Sequence, residues 1–139
     1  MTDTTFSPPR VVMTASAAVL GAAGLALLFA PGELQRLVAA ADAAPVPPMV
    51  LQLWSAVLLG LAVADWTGRG LPLGGIYGRA LVMGNAMHWT VGALVGVRAV
   101  IDHPASAGAW AAALLYGVFA LAFHWLLRRH PGPASPTTA

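Results

Sequence analysis

Two polar residues, Asn85 and His88, lie near the middle of a long apolar segment of the chain. Polar side chains at that depth of a bilayer are costly, so each needs a hydrogen-bond partner or a function. A histidine titrates near neutral pH, and with a neighbouring amide it can bind a ligand or relay a proton. The alternative is structural, because both side chains can also form hydrogen bonds that hold helices together.

The spacing around His88 predicts which way this side chain faces. Gly84, His88, Gly92 and Gly96 follow one another at intervals of four residues, so they lie along one side of a helix. Gly92 and Gly96 form a GxxxG pair, which is typical of close helix packing in membranes. We therefore expect His88 to face other helices, with Asn85 one turn away on the same side.

Tyr116 extends this group, because it lies at the middle of the last apolar segment. Its ring can reach Asn85 or His88 if it faces inward, and its phenol then needs a partner. The candidate ligand-binding residues are therefore Asn85, His88 and Tyr116. His88 is also the candidate catalytic acid or base.

A second group of polar residues falls at the ends of apolar segments that meet on one side of the membrane. It consists of Asp65, Arg69, Arg79 and His124. Asp65 can pair with Arg79, and such an interfacial ion pair contributes little stability. The arginines and the glycine-rich turn can instead contact an anionic lipid headgroup. The turn, GRGLPLGGIYGR, matches no nucleotide-binding motif.

Haem is the one cofactor that the histidines suggest, with His88 and His124 as two axial ligands. His124 lies about seven residues past the middle of its segment, which separates the two histidines by about 10 Å along the membrane normal. Ligands of one iron need nearly equal depth, so we expect no haem. The chain has no cysteine and no HExxH pattern, and no metal is expected.

The composition around these residues is that of a membrane protein. Of the 139 residues, 58% are hydrophobic and 9% are charged, whereas soluble domains have about 25% charged residues. The basic residues are all arginines at the ends of apolar segments. The basic balance therefore does not indicate nucleic-acid binding.

Four apolar segments are long enough to cross a bilayer, which takes about 20 residues. The predicted spans cover about residues 9–29, 49–66, 76–100 and 107–127. An amphipathic pattern predicts a short interfacial helix over about 33–41, and residues 1–8 and 130–139 are predicted to be disordered. The predicted fold is an all-α membrane protein, with four transmembrane helices in an antiparallel bundle over 9–129.

The arginines also predict orientation, because they favour the cytoplasmic side. The N-terminus, the second loop and the C-terminus share one side, which holds five of the seven arginines: Arg10, Arg69, Arg79, Arg128 and Arg129. Both termini are therefore predicted to be cytoplasmic. The lysine-free, alanine-rich composition favours a bacterial inner membrane. Four tryptophans fall near span ends, as an interfacial belt requires: Trp54, Trp66, Trp110 and Trp125.

Three segments carry a family likeness: LLFAPGEL, QLWSAVLLGLAVADWTGRG and GGIYGRALVMGNAMHWTVGAL. They resemble a family of small bacterial four-helix integral membrane proteins with no established activity, and the GGIYGR…GN…H pattern is the most specific part. That family tends to have Asn in place of Asp65 and Pro in place of Ala80, which argues against a role for Asp65. The resemblance implies the four-helix topology and adds no mechanism.

Together these features favour a binding or accessory role over catalysis. We expect a bundle in contact with membrane lipid that binds a hydrophobic ligand or a partner membrane protein at Asn85 and His88. A homo-oligomer or a larger membrane complex would bury the small-residue faces of its helices. The alternative is an intramembrane enzyme or a proton-coupled transporter, in which His88 is the acid or base and Asn85 orients the substrate.

Overall fold

The structure, a computed structural model, describes residues 7–38, 44–72 and 75–129. In these ranges the chain forms five helices and no strand, which confirms the all-α prediction. The helices are α1 (Pro8–Phe29), α2 (Pro31–Val38), α3 (Pro48–Gly68), α4 (Ile76–Asp102) and α5 (Ala107–Arg128).

Four of the helices, α1, α3, α4 and α5, are long and apolar enough to cross a membrane. The shortest has 21 residues, which at about 1.5 Å per residue matches the roughly 30 Å hydrocarbon core of a bilayer. These four helices coincide with the predicted spans to within two residues at each end. The interfacial helix begins two residues earlier than predicted, and its predicted end at 39–41 lies outside the described residues. The predicted tails lie outside them too, at 1–6 and 130–139.

Prolines and a serine determine where the helices begin. Pro8, Pro31 and Pro48 open α1, α2 and α3, because a first-turn residue needs no free N–H and proline's fixed φ suits a helix. Ser106 caps α5 by accepting a hydrogen bond from the Ala109 amide at 3.2 Å. Since Pro31 follows α1 after a single residue, α2 turns away directly from the end of the first span.

The four long helices form two antiparallel pairs. In the first pair, α1 packs along α3, and a Cβ on Gly24 would lie 2.8 Å from the Leu59 side chain. In the second pair, α4 packs along α5, and a Cβ on Gly96 would lie 2.7 Å from the Ala113 Cα. These glycines allow backbones to approach closely, as the small-residue patterns predict.

The predicted glycine seam of α4 is confirmed at one end and wrong at the other. A Cβ on Gly92 would overlap the Tyr116 ring, whereas a Cβ on Gly84 would meet no atom within 4 Å. The reason is geometric, because each step of four residues turns about 40° around the helix. Gly84 and Gly96 are therefore about 120° apart, and only the later glycines face α5.

We expect the substitution Gly96→Ala to lower the free energy of unfolding by about 1–3 kcal/mol, because its Cβ would press on the α5 backbone. The matched control is Gly60→Ala on α3, where a Cβ meets nothing within 4 Å. This control should raise stability by up to about 1 kcal/mol, as alanine is the better helix former. Reversible unfolding in mixed micelles, followed by circular dichroism, measures both. Equal effects at the two sites would contradict the close approach of α4 and α5.

The two pairs meet in one half of the bundle, where α1 and α4 begin and α3 and α5 end; we call it the proximal half. Its hydrophobic core draws on all four long helices: Met13, Leu20, Ala62, Val82, Ala86, Trp89, Ala120, Phe123 and Leu126. The Leu81 side chain of α4 also packs so close to Gly68 of α3 that a Cβ on Gly68 would overlap it. The proximal half is therefore where side chains of both pairs can form a common site.

Four of the five tryptophans are exposed, and they lie where an interfacial belt requires. The Arg69 guanidinium stacks 3.8 Å above the Trp66 ring, and that of Arg129 stacks 3.7 Å above Trp125. Both pairs lie at the proximal ends of α3 and α5. The fifth tryptophan, Trp89, is in the core with 1% of its surface exposed.

Candidate functional site

A buried polar cluster joins α1, α3 and α4 in the proximal half. Ser16, Asp65 and Asn85 are each 0% exposed. The Ser16 hydroxyl donates to Asp65 Oδ2 at 2.6 Å, and Asn85 Nδ2 donates to Asp65 Oδ1 at 2.5 Å. The Trp89 indole donates to Ser16 Oγ at 3.2 Å. The carboxyl group of Asp65 is therefore the centre of a hydrogen-bond network that ties both helix pairs together.

The predicted ion pair between Asp65 and Arg79 is wrong. Asp65 lies three residues before the end of α3, but Ser16 is eight residues inside α1, about 12 Å from its start. The flanking helices thus extend beyond the end of α3, so Asp65 is deep in the bundle. Arg79 is exposed near the start of α4. Among the described residues, the ion pairs are Arg36–Glu33 and Arg98–Asp102.

The other members of the predicted rim are also separate from one another. Arg69 lies over Trp66 and donates a hydrogen bond to that residue's carbonyl oxygen. His124 is exposed, with Nδ1 2.9 Å from the Ala120 carbonyl oxygen of its own helix. The structure therefore gathers no common anion site from these side chains, and their contact with lipid headgroups stays a prediction.

Asn85 has an unsatisfied hydrogen-bond acceptor. Its Nδ2 donates to Asp65 and also to the Leu81 carbonyl oxygen at 3.1 Å, so both of its N–H groups are used. Its Oδ1 is buried and has no partner among the described residues. Buried polar groups are nearly always hydrogen-bonded, so an exception at this position points to a missing partner.

His88 has a similar unsatisfied atom one turn further along α4. Its ring packs edge-on against Trp89, with centroids 5.2 Å apart, and lies beside the Tyr116 ring at 5.7 Å. Its Nε2 is buried without a hydrogen-bond partner in the described part of the chain. The structure thus brings His88 and Tyr116 together through their rings. Asn85 instead faces Asp65.

Gly84 is exposed on α4 and has no side chain, and a Cβ there would meet no atom of the described residues within 4 Å; we call this open position the notch. At about 100° per residue, His88 lies about 40° around the helix from Gly84, and Asn85 lies about 100° from it. His88 is correspondingly half-buried, between exposed Gly84 and fully buried Asn85. Around α4, His88 therefore lies between the exposed notch and the buried Asn85.

The histidine pair that haem would require is not formed. The Tyr116 ring lies beside His88, and His124 is eight residues further along α5, about 12 Å away along the axis. Two axial ligands of one iron cannot be so far apart in depth. In the described residues no group of three His, Cys, Asp or Glu side chains is placed to hold a metal ion.

Sequence reasoning missed two members of the polar cluster, Ser16 and Trp89. Ser16 gave no signal, because a serine among small residues is unremarkable in a membrane helix. Trp89 did give one, since it lies mid-span while the other tryptophans fall near span ends. A tryptophan at that depth needs a partner for its N–H group.

Comparison of the chain with protein-family models, with curated proteins and with solved structures finds no match. The resemblance to small bacterial four-helix membrane proteins therefore stays a prediction. The function must be inferred from the residues of the chain and their geometry.

Proposed function

We propose that this multi-pass membrane protein is a binding or accessory protein, which takes up an apolar ligand from the bilayer at the notch beside Gly84. The observation that carries this proposal is the pair of buried polar atoms that have no partner among the described residues, Asn85 Oδ1 and His88 Nε2. Both residues lie within about one turn of the exposed Gly84 on α4. A ligand that enters the notch can bring hydrogen-bonding groups to both atoms.

The free energy of unpaired polar groups supports this proposal. A buried donor or acceptor without a partner costs about 1–3 kcal/mol, and within a bilayer no bulk water is available to replace the partner. A bound ligand offsets that cost on binding. The Tyr116 ring, packed over Gly92 beside His88, supplies an apolar wall for the rest of the molecule.

The surroundings of His88 favour binding over catalysis. A general base needs a group that orients it and a substrate position within hydrogen-bond reach. The nearest ring neighbours of His88 are the aromatic faces of Trp89 and Tyr116. No carboxylate in the described ranges hydrogen-bonds to the imidazole, so nothing fixes its tautomer for proton transfer.

An intramembrane enzyme or proton-coupled transporter that uses His88 and Asn85 is the second candidate, and Asp65 is the observation that favours it. Acids in membrane spans are rare and often lie on proton pathways. Asn85 connects this carboxyl group to the face of α4 that carries His88. Proton flux through liposomes that contain the purified protein, abolished in a His88→Phe variant, would favour this second function.

We place the protein in a bacterial inner membrane with both termini in the cytoplasm. The arginine distribution supports this orientation, with five of seven at the proximal side. The stacking of Arg69 and Arg129 on tryptophans at that side supports an interfacial position for these helix ends. Membrane lipid is the proposed immediate partner, and the exposed glycines leave room for a second copy or another membrane protein.

The substitution Gly84→Leu tests the proposal, because a Cβ there meets no atom of the described residues within 4 Å and the rest of the new side chain would occupy the notch. We expect at least a tenfold loss of the co-purified ligand, which corresponds to about 1.4 kcal/mol of binding free energy. Native mass spectrometry of the protein, released from mild detergent, counts the bound molecules. The matched control is Gly60→Leu, at an equally open glycine on α3, and it should retain the ligand.

Two results would contradict this proposal. If the wild-type protein carries no apolar ligand, or if both glycine variants retain it equally, the notch is not a ligand site. If Gly84→Leu instead releases a co-purified membrane protein, the same surface binds a partner helix, and the accessory role stands without the small ligand.

A further inference from the structure

We infer that the ligand of this site carries a neutral hydroxyl group, so that it is an apolar alcohol or phenol rather than an ester, ether or charged lipid. This inference rests on the proposed function and assigns its chemical class. It follows from the hydrogen bonds that Asn85 and His88 still lack.

Asn85 requires a ligand that donates a hydrogen bond. Both N–H groups of its amide are used, by Asp65 Oδ1 and the Leu81 carbonyl oxygen. These two acceptors also fix the orientation of the Asn85 amide. If the amide were flipped, its carbonyl oxygen would lie against the Asp65 and Leu81 oxygens, which are acceptors too. The unpartnered atom is thus the carbonyl oxygen, which can only accept. Ethers, ketones and esters have no donor, so they cannot satisfy it.

His88 can complete the same contact from its other side. A neutral imidazole with its proton on Nε2 donates there, and a hydroxyl oxygen accepts. Residues three apart on a helix have Cβ atoms about 5–6 Å apart, and a hydroxyl bond is about 2.8 Å long. One hydroxyl group placed between the two side chains can therefore donate to Asn85 Oδ1 and accept from His88 Nε2.

The exposed surroundings of the notch on α4 are apolar. Three exposed apolar residues of α4 flank the notch on its lipid-facing side: Ala80, Met87 and Val91. The nearest arginine along α4, Arg79, is about 140° around the helix from Gly84. A phosphate headgroup at Asn85 would therefore meet no arginine of α4 within one turn. An alkyl or aryl body fits this face, and methionine adapts to either shape.

The test compares two matched probe pairs on the purified full-length protein: dodecanol with its methyl ether, and 4-dodecylphenol with its methyl ether. Within each pair only the O–H donor changes. Native mass spectrometry measures the bound fraction at equal probe concentration. We expect the wild-type protein to bind each hydroxyl probe at least about tenfold more tightly than its ether, the loss expected when a buried acceptor stays unpaired.

Variants of the site show which side chain causes the preference for a hydroxyl probe over its ether. Asn85→Leu should bind both members of a pair nearly equally, because the acceptor that needs the hydroxyl donor is lost. His88→Phe should weaken both members alike and keep the preference, because an imidazole N–H donates to an ether oxygen as well as to a hydroxyl oxygen. Gly84→Leu should bind neither probe. Circular dichroism and gel filtration show whether each variant keeps the fold, and the preference retained in His88→Phe keeps the test decisive if Asn85→Leu unfolds.

The outcomes separate this inference from the proposed function. Equal binding of alcohol and ether by the wild-type protein overturns the hydroxyl inference and leaves the binding site in place. Equal binding is also the result expected if an ordered water already satisfies Asn85 and His88. If no probe binds and no ligand co-purifies, both proposals fail. A hydroxyl preference that survives in Gly84→Leu places the ligand elsewhere and overturns the inference.

Discussion

Replacing Trp89 by alanine is expected to lower the free energy of unfolding by about 3 kcal/mol, the low end of the range for a buried tryptophan. The low end applies because the surrounding lipid is as apolar as the protein core. The substitution therefore loses packing contacts, but little free energy of transfer from water. Trp89 stacks on Phe119 with ring centroids 4.3 Å apart and 18° between the planes. Its indole also hydrogen-bonds to Ser16, which joins the two helix pairs.

The matched control is Trp66→Ala, at a tryptophan that is 52% exposed near the end of α3. It should cost about 1 kcal/mol or less, because little packing is lost. Trp89→Phe should fall between the two, since it keeps a ring against Phe119 and loses the hydrogen bond. Unfolding in mixed micelles, followed by circular dichroism, measures all three. Similar losses for Trp66→Ala and Trp89→Ala would show that Trp89 does not hold the pairs together.

The helices could be predicted from the sequence because their signals are local. An apolar run of about 20 residues specifies a span wherever it lies in the fold. Pro31 and Pro48 mark helix starts through their own fixed φ and missing N–H group. A helix end without such a residue has a weaker signal in the sequence. Helix α4, for example, continues two residues beyond its predicted end, to Asp102.

The partners of the polar residues could not be predicted in the same way. Helical spacing gives the face on which a side chain lies, but it does not tell which other helix covers that face. Asp65 was placed at a rim because it is near the end of its own helix. It is buried because α1 and α4 extend past that end, which is a property of helix stagger between segments far apart in the chain.

For the same reason, the sequence did not show that Asn85 and His88 have different neighbours. The two side chains lie on neighbouring parts of α4, yet α1 and α3 cover Asn85 while Tyr116 of α5 lies beside His88. The site thus falls at the junction between the two helix pairs. Gly84, which was predicted to pack against another helix, is instead exposed beside the proposed site.

Replacing Asp65 by alanine is expected to lower the free energy of unfolding by about 2 kcal/mol. The change leaves the Ser16 hydroxyl and one Asn85 N–H without an acceptor, each costing about 1 kcal/mol in a membrane interior. Asp65→Asn keeps one of the two acceptor oxygens, so it should cost about half as much. Reversible unfolding in mixed micelles measures both variants.

A double-mutant cycle with Ser16→Ala shows whether the cluster acts as a unit. Because Ser16 and Asp65 share a hydrogen bond of 2.6 Å, the double variant should lose less stability than the sum of the single variants, by about 1 kcal/mol. Asp102→Ala is the control acid, since its exposed pair with Arg98 should contribute little. Additive losses at Ser16 and Asp65, or a loss at Asp102 as large as at Asp65, would contradict the network. The same carboxyl group accepts from Asn85 Nδ2 and so holds the amide in the orientation that leaves its carbonyl oxygen without a partner in the described residues.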